Sequence, residues 1–271
     1  MSKPIASAFR KQAFAYRDYL EGPYGRLRQE VAWRRVSTFI ETVWGANPAP
    51  LRVFDAGCGT GELTLRLAAK GHQVVLLDPV EEMLRLAMEK AKALSPPPTF
   101  PPCFLQGALE EAPSLFKEGA FDLVLCHLLL EYLPDPRPAL AALRHVLRPG
   151  GLLSLIALNR WQEPLRLAIR DRKLDEARSA LARQSSQDSL FGLPRLAFGR
   201  EELKPFLEEA GLEILEEGGI SIFIDYLPKE AIEDPSPFEA LLSLEEEAGK
   251  SSPLKDVARY LHLFGLRIAE G

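Results

Sequence analysis

Val53-Phe54-Asp55-Ala56-Gly57-Cys58-Gly59-Thr60-Gly61-Glu62, with a lone Asp78 after the next apolar run, decides how this chain is read. The apolar stretch ending in Asp55 predicts a strand, and Gly57-x-Gly59-x-Gly61 predicts a sharp turn free of side chains. A ligand can then pack on the backbone beside a helix start. Asp78 closes a second apolar run, where a carboxylate accepts hydrogen bonds from both hydroxyls of a ribose. Before Pro79 it also suits an ordinary helix N-cap, and the two roles are compatible.

Outward from this stretch the chain alternates. Apolar runs predict strands at 51–55, 73–77, 103–106, 121–126 and 152–158, and helical spacing predicts helices at 61–70, 80–94 and 138–147. This is the βαβ rhythm of a doubly wound, parallel α/β sheet. Pro79 is well suited to the first turn of the helix that follows it. Leu27, Val31, Val36, Phe39 and Ile40 predict a helix over 24–44. Leu147-Arg148-Pro149-Gly150-Gly151 predicts a tight reversal with Gly150 or Gly151 at positive φ.

From 159 to 200 the rhythm gives way to an arginine-rich helical pattern, then returns with a helix ending at Ala210 and capped by Gly211. Closing strands are expected at 220–226 and 260–268, with a glutamate-rich helix at 238–248 between them. The expected organisation is one domain over 1–271, with an N-terminal helical cap at 1–48 and a helical insertion at 159–200.

With 271 residues, 46% of them apolar, the chain can bury one substantial core. No apolar run reaches the roughly 18 residues that span a bilayer, and Met1 to Arg10 lacks a signal-peptide core. A cytoplasmic protein is expected. Cys58, Cys103 and Cys126 form no CxxC pair and no zinc spacing, so they are expected to be small core residues, with no metal.

The net charge of -5 argues against nucleic-acid binding over the whole surface. Its distribution is uneven. Residues 1–35 carry eight bases and three acids, and residues 159–200 carry nine bases and five acids. Over a common mouth these segments would offer a local basic surface to an anionic substrate; apart, they are solvated helix faces.

A dinucleotide fingerprint would place glycine at position 62, where Glu62 stands, so the loop fits S-adenosylmethionine better than NAD. By topology, Gln106-Gly107-Ala108-Leu109-Glu110 would lie beside the adenine. His127, at the carboxyl end of a parallel strand, faces the ligand crevice, although a lone histidine is more often structural. Arg28 is the natural partner for the cofactor's carboxylate, against the plain alternative of a surface arginine. A sulfonium-bound methyl is already activated, so positioning dominates its in-line transfer. A carboxylate nucleophile needs no general base; an amine or hydroxyl would call on His127, Tyr24 or Tyr132. No catalytic dyad stands out.

With Asp55-Ala56-Gly57-Cys58-Gly59-Thr60-Gly61, Asp78 and Leu147-Arg148-Pro149-Gly150-Gly151 in place, the chain resembles the class I methyltransferases. A narrower likeness rests on Tyr24-Gly25-Arg26-Leu27-Arg28-Gln29, on His127-Leu128-Leu129-Leu130-Glu131-Tyr132, on Phe223-Ile224-Asp225-Tyr226-Leu227 and on Arg259-Tyr260-Leu261-His262. These segments, in order, resemble the enzymes that methyl-esterify 5-carboxymethoxyuridine at the tRNA wobble position. The resemblance implies a Rossmann-like seven-stranded sheet of order 3-2-1-4-5-7-6, its last strand antiparallel. It also implies that Arg28, Gly57, Cys58, Asp78, Leu109, Glu110 and His127 contact S-adenosylmethionine, released as S-adenosylhomocysteine. Asp55 and Gly59 complete that set through the loop.

Family members carry a dense lysine and arginine run in the insertion; here Gln184-Ser185-Ser186-Gln187-Asp188 takes its place. Tyr24, Arg195 and Arg200 are the expected substrate contacts, toward a tRNA anticodon loop or a small anionic metabolite. An oxidoreductase using NAD and a non-catalytic nucleotide-binding module are the readings from other classes.

Overall fold

A computed structural model describes residues 3–183, 185–188, 190–228, 232 and 235–269. Three helices open the chain, α1 (Lys3–Lys11), α2 (Ala13–Glu21) and α3 (Pro23–Trp44). The alternating part follows as β1 (Arg52–Ala56), α4 (Glu62–Ala69), β2 (Gln73–Asp78), α5 (Glu81–Lys92), β3 (Cys103–Gln106), α6 (Ala112–Leu115), β4 (Phe121–His127), α7 (Arg137–Val146) and β5 (Leu147–Leu158). The insertion holds α8 (Gln162–Ile169), α9 (Leu174–Ala180) and a hairpin of β6 (Ser185–Gln187) and β7 (Pro194–Leu196). The chain closes with α10 (Arg200–Glu209), β8 (Leu212–Ile220), α11 (Pro235–Ala248) and β9 (Tyr260–Arg267).

Seven strands form one sheet in the order β3-β2-β1-β4-β5-β9-β8. Counting this sheet's strands alone, that is the expected 3-2-1-4-5-7-6. β9 runs antiparallel to both of its neighbours, and the remaining pairings are parallel. Period-two alternation sends Phe54, Val124 and Leu153 to one face, against Leu140 and Leu143 of α7 and Leu203 of α10. Val53, Leu123 and Leu152 go to the other face, against Val36, Phe39 and Ile40 of α3 and Leu67 of α4. Both faces are covered, so the central strands read as continuous apolar runs.

Four expectations need correction. The sixth strand of the sheet lies at Leu212–Ile220 rather than 220–226, and Ile224–Tyr226 is a short 3-10 turn. This edge strand exposes Glu213, Leu215 and Glu216. Its apolar alternation is therefore missing. The insertion is helical only in its first part, since Ser185–Gln187 and Pro194–Leu196 pair as a hairpin. Helix α5 starts at Glu81, leaving Pro79 outside it, because Asp78 Oδ1 accepts the Val80 N–H at 2.8 Å and turns the chain first. Cys103 is exposed, whereas Cys126 is buried as expected. The reversal at Leu147–Gly151 turns through Gly150 at φ 70°, within β5, where the pairing with β4 shifts register.

Candidate active site

The strand order reverses between β1 and β4, and two adjoining cavities open at their carboxyl ends, where α/β sheets bind ligands. The smaller, of about 90 Å³, is lined by Asp55, Gly57, Cys58, Gly59 and Glu62 from the glycine loop, by His127, and by Tyr16 and Arg28 from the N-terminal helices. The larger, of about 250 Å³, is lined by Phe9, Tyr19, Glu131, Tyr132, Phe191, Arg195, Arg259 and Tyr260 among others. Tyr16, Arg28 and Leu128 line both. Leu128 holds a left-handed backbone at φ 56°, strained for a leucine, and its N–H donates to the Ile156 carbonyl at 2.8 Å.

The glycine loop is pinned from β2. Gly57 and Cys58 both donate their N–H to the Leu77 carbonyl, at 2.8 and 3.1 Å, and Gly59 donates to Asp78 Oδ2 at 2.9 Å. Gly59 sits at φ 54°, and a Cβ there would stand 3.6 Å from the Tyr16 ring. A bare backbone keeps this cleft open. Asp55 accepts a hydrogen bond from the Thr64 hydroxyl. Burial pushes Asp55 up to about 7 and Asp78 up to about 6.

Arg28 stands out electrostatically. Its guanidinium contacts the Tyr16 hydroxyl at 3.5 Å and lies over the rings of Tyr19 and Tyr260 at 5.6 and 5.7 Å. No carboxylate pairs with it among the described residues. Arg195 and Arg259, by contrast, are paired with Asp188 at 2.7 Å and Asp225 at 2.8 Å. Glu131 lies in the turn after β4 and is 3% exposed. Its Oε1 accepts the Leu158 N–H, its Oε2 is buried with no partner, and burial raises its pKa to about 7.

The roof joins the two basic segments. Phe9 of α1 meets Phe191 of the insertion at 3.9 Å and Tyr132 edge-on at 4.9 Å. The two basic segments thus meet over one mouth, and Asp188, Leu190 and Phe191 form part of its wall.

Of the residues expected around a cofactor, Arg28, Asp55, Gly57, Cys58, Gly59 and His127 line the small cavity, and Asp78 stands behind the loop. Leu109 is packed into the core against α7 and Glu110 is exposed on the following turn; neither lines these cavities. Of the expected substrate residues, Arg195 lines the large cavity. Tyr24, partly buried on α3, packs against the apolar cluster shared with α11, and Arg200 is tied to Glu217 and Asp256; neither lines that cavity. Sequence reasoning gave no role to Glu131, Arg259, Tyr260 or Phe191; Tyr16 and Tyr19, one helical turn apart, offered only a faint signal.

The methyltransferase-domain family matches residues 54–155. Over 241 residues, the tRNA 5-carboxymethoxyuridine methyltransferase of Escherichia coli (strain K12) is 32% identical, covering 88% of this chain and 87% of that protein. The chain belongs to that family of S-adenosylmethionine-dependent methyltransferases. A malonyl-[acyl-carrier protein] O-methyltransferase of Erwinia pyrifoliae is 34% identical over 147 residues, 54% of this chain and 48% of that one. The magnesium protoporphyrin IX methyltransferase of Synechocystis, solved with bound S-adenosylhomocysteine, shares the fold at a TM-score of 0.63 and 17% identity, over 97% of this chain and 98% of that one. The enzyme's cofactor is thus S-adenosylmethionine. Among the described residues no helix is long and apolar enough to cross a membrane, and no cluster of His, Cys, Asp and Glu is suited to a metal ion.

Proposed function

We propose that this methyltransferase esterifies the carboxylate of 5-carboxymethoxyuridine at the tRNA wobble position, in the cytoplasm. The observation that carries the reading is the larger cavity, where Phe9, Phe191 and Tyr132 offer rings and Arg195 and Arg259 add positive charge beside an Arg28 that has no carboxylate partner among the described residues. A half-buried cation without a carboxylate favours an anionic ligand.

The small cavity suits the cofactor. Asp78 retains free lone pairs beside its two backbone bonds and so can accept ribose hydroxyls. Arg28 matches the cofactor's carboxylate, while Asp55, Glu62 and the loop backbone supply acceptors for its amino group. S-adenosylmethionine supplies the activated methyl group; the chain's own residues hold and align the acceptor.

The large cavity suits a flat anionic acceptor. Phe9, Phe191, Tyr132 and Tyr19 offer rings on which a splayed base can stack, and Arg195 and Arg259 add positive charge. Arg259 Nε is buried without a partner and can donate to the acceptor. Outside, Arg172, Arg178 and Arg183 are exposed, with no carboxylate partner among the described residues, and can meet phosphates.

A carboxylate nucleophile also fits the poor supply of bases. Burial drives His127 down to about 3 and keeps the Tyr132 phenol protonated well above its usual range. Glu131, near 7, supports a second reading, a small acceptor that must lose a proton.

The test is methyl transfer from labelled S-adenosylmethionine to tRNA carrying 5-carboxymethoxyuridine, with and without complete RNase digestion. Label in intact tRNA, released by mild base as expected of an ester, supports the first reading. Transfer in a lysate that survives RNase supports the second.

A further inference from the structure

We propose that Arg35, His262 and Ser154 form a buried hydrogen-bond chain that locks His127 in its neutral Nδ1–H tautomer, so that the ring presents a fixed donor to the cofactor cavity. The three are positioning residues, acting on the cavity through His127.

The strand register assembles the chain. His127 on β4 and His262 on β9 both stand opposite Ile156 of β5, and Ser154 lies two residues back on the same face of that strand. Arg35 reaches this row from α3. Arg35 Nε donates to His262 Nδ1 at 3.2 Å, His262 Nε2 lies 2.9 Å from Ser154 Oγ, and Ser154 Oγ lies 2.9 Å from His127 Nε2. Arg35, Ser154 and His262 are all buried, and Glu216 holds the Arg35 guanidinium from the other side at 2.9 Å.

Donor and acceptor roles along this chain follow from one fact. An arginine Nε always carries its proton, so His262 Nδ1 must accept. His262 is then neutral with its proton on Nε2, which donates to Ser154 Oγ. Among the described residues the one remaining partner of the Ser154 hydroxyl is His127 Nε2, and its proton goes there. His127 Nε2 therefore accepts, and its proton resides on Nδ1, in a side chain that lines the small cavity. The two histidines hold opposite tautomers, and a cation on His262 would set its Nδ1–H against the Arg35 Nε–H. Burial, with Arg35 adding to it, keeps His262 far below its ordinary range.

The proposal rests on assigning the small cavity to S-adenosylmethionine, but its main readout needs neither cofactor nor methyl acceptor. In the full chain labelled with ¹⁵N-histidine, long-range proton–nitrogen correlations should find His127 protonated on Nδ1 and His262 on Nε2, unchanged from about pH 6 to about pH 8. His127 protonated on Nε2, or as a mixture of tautomers, would overturn the proposal. Ser154→Ala cuts the last link and fills the same space. It should release His127 into a tautomer mixture and weaken S-adenosylhomocysteine binding by about three- to tenfold, the scale of one hydrogen bond. A variant in which His127 keeps the Nδ1–H form unmixed would show that Ser154 only packs the core. His262→Phe, which keeps a ring and removes both nitrogens, should match Ser154→Ala in its effect on His127 through the same two measurements.

Discussion

The carboxylate of Asp78 accepts the backbone N–H of Gly59 at 2.9 Å, joining the end of β2 to the turn after β1. One side chain thus holds the glycine loop in shape and keeps a carboxylate beside it. Asp78→Ala should weaken S-adenosylhomocysteine binding by about 1 to 3 kcal/mol in titration calorimetry, as charged hydrogen bonds are lost. Arg28→Ala should act similarly. Wild-type affinity in Asp78→Ala would leave Asp78 as the local turn-former before α5 and nothing more.

Burial raises Asp55 to about 7 and Asp78 to about 6, and this gives cofactor binding a pH dependence. Hydroxyl and ammonium donors favour the ionised carboxylates, so binding expels protons. Affinity should rise as the pH climbs from about 5 to about 8. His127, driven down to about 3 by burial, stays neutral across that range and leaves the profile to the carboxyls. Calorimetry at several pH values checks this, and a flat profile would contradict it.

Glu131 separates the two kinds of acceptor. Glu131→Gln preserves shape and removes a base. With a carboxylate acceptor, kcat should fall by less than about tenfold, whereas loss of a general base costs about a hundredfold or more. The same variant tests the raised pKa. Folded Glu131 titrates near 7, against about 4.3 unfolded, so the folded state holds the extra proton and loses stability as pH rises through that window. Relative to Glu131→Gln, the wild type should lose unfolding free energy between about pH 5 and about pH 8. Denaturant unfolding at both ends measures the difference.

The sheet was legible because buried parallel strands carry a continuous apolar signal and the glycine loop carries a conformational one. Leu212–Ile220 was not, since half of an edge strand faces water and its glutamates hide the period. Gly218, in the same strand, packs under the Arg35 guanidinium, a contact no local pattern announces. The loop side of the small cavity was legible for a similar reason: Asp55 to Gly59 are contiguous. The large cavity was not. Phe9, Glu131, Phe191 and Arg259 come from four distant parts of the chain, and only the fold brings them together. Tyr24 and Arg200 mislead in the opposite way, as a tyrosine and an arginine in promising segments whose partners are structural.

Arg195 and Arg200, close in sequence, should behave differently. Arg195→Ala opens the wall of the large cavity and strands Asp188, and should raise the acceptor KM with little change in S-adenosylhomocysteine affinity. Arg200→Ala breaks contacts to Glu217 and Asp256 and should lower thermal stability while leaving the acceptor KM near that of the wild type. Steady-state kinetics beside a melting curve tells the two apart. Equal KM effects would return Arg200 to the acceptor site.

Nucleoside mass spectrometry of tRNA from cells lacking the gene tests the assigned acceptor most directly. Loss of the 5-carboxymethoxyuridine methyl ester, accumulation of the free acid, and restoration of the ester by the wild-type gene but not by an Arg28→Ala copy are the expected results. An unchanged modification profile would contradict the wobble-uridine assignment.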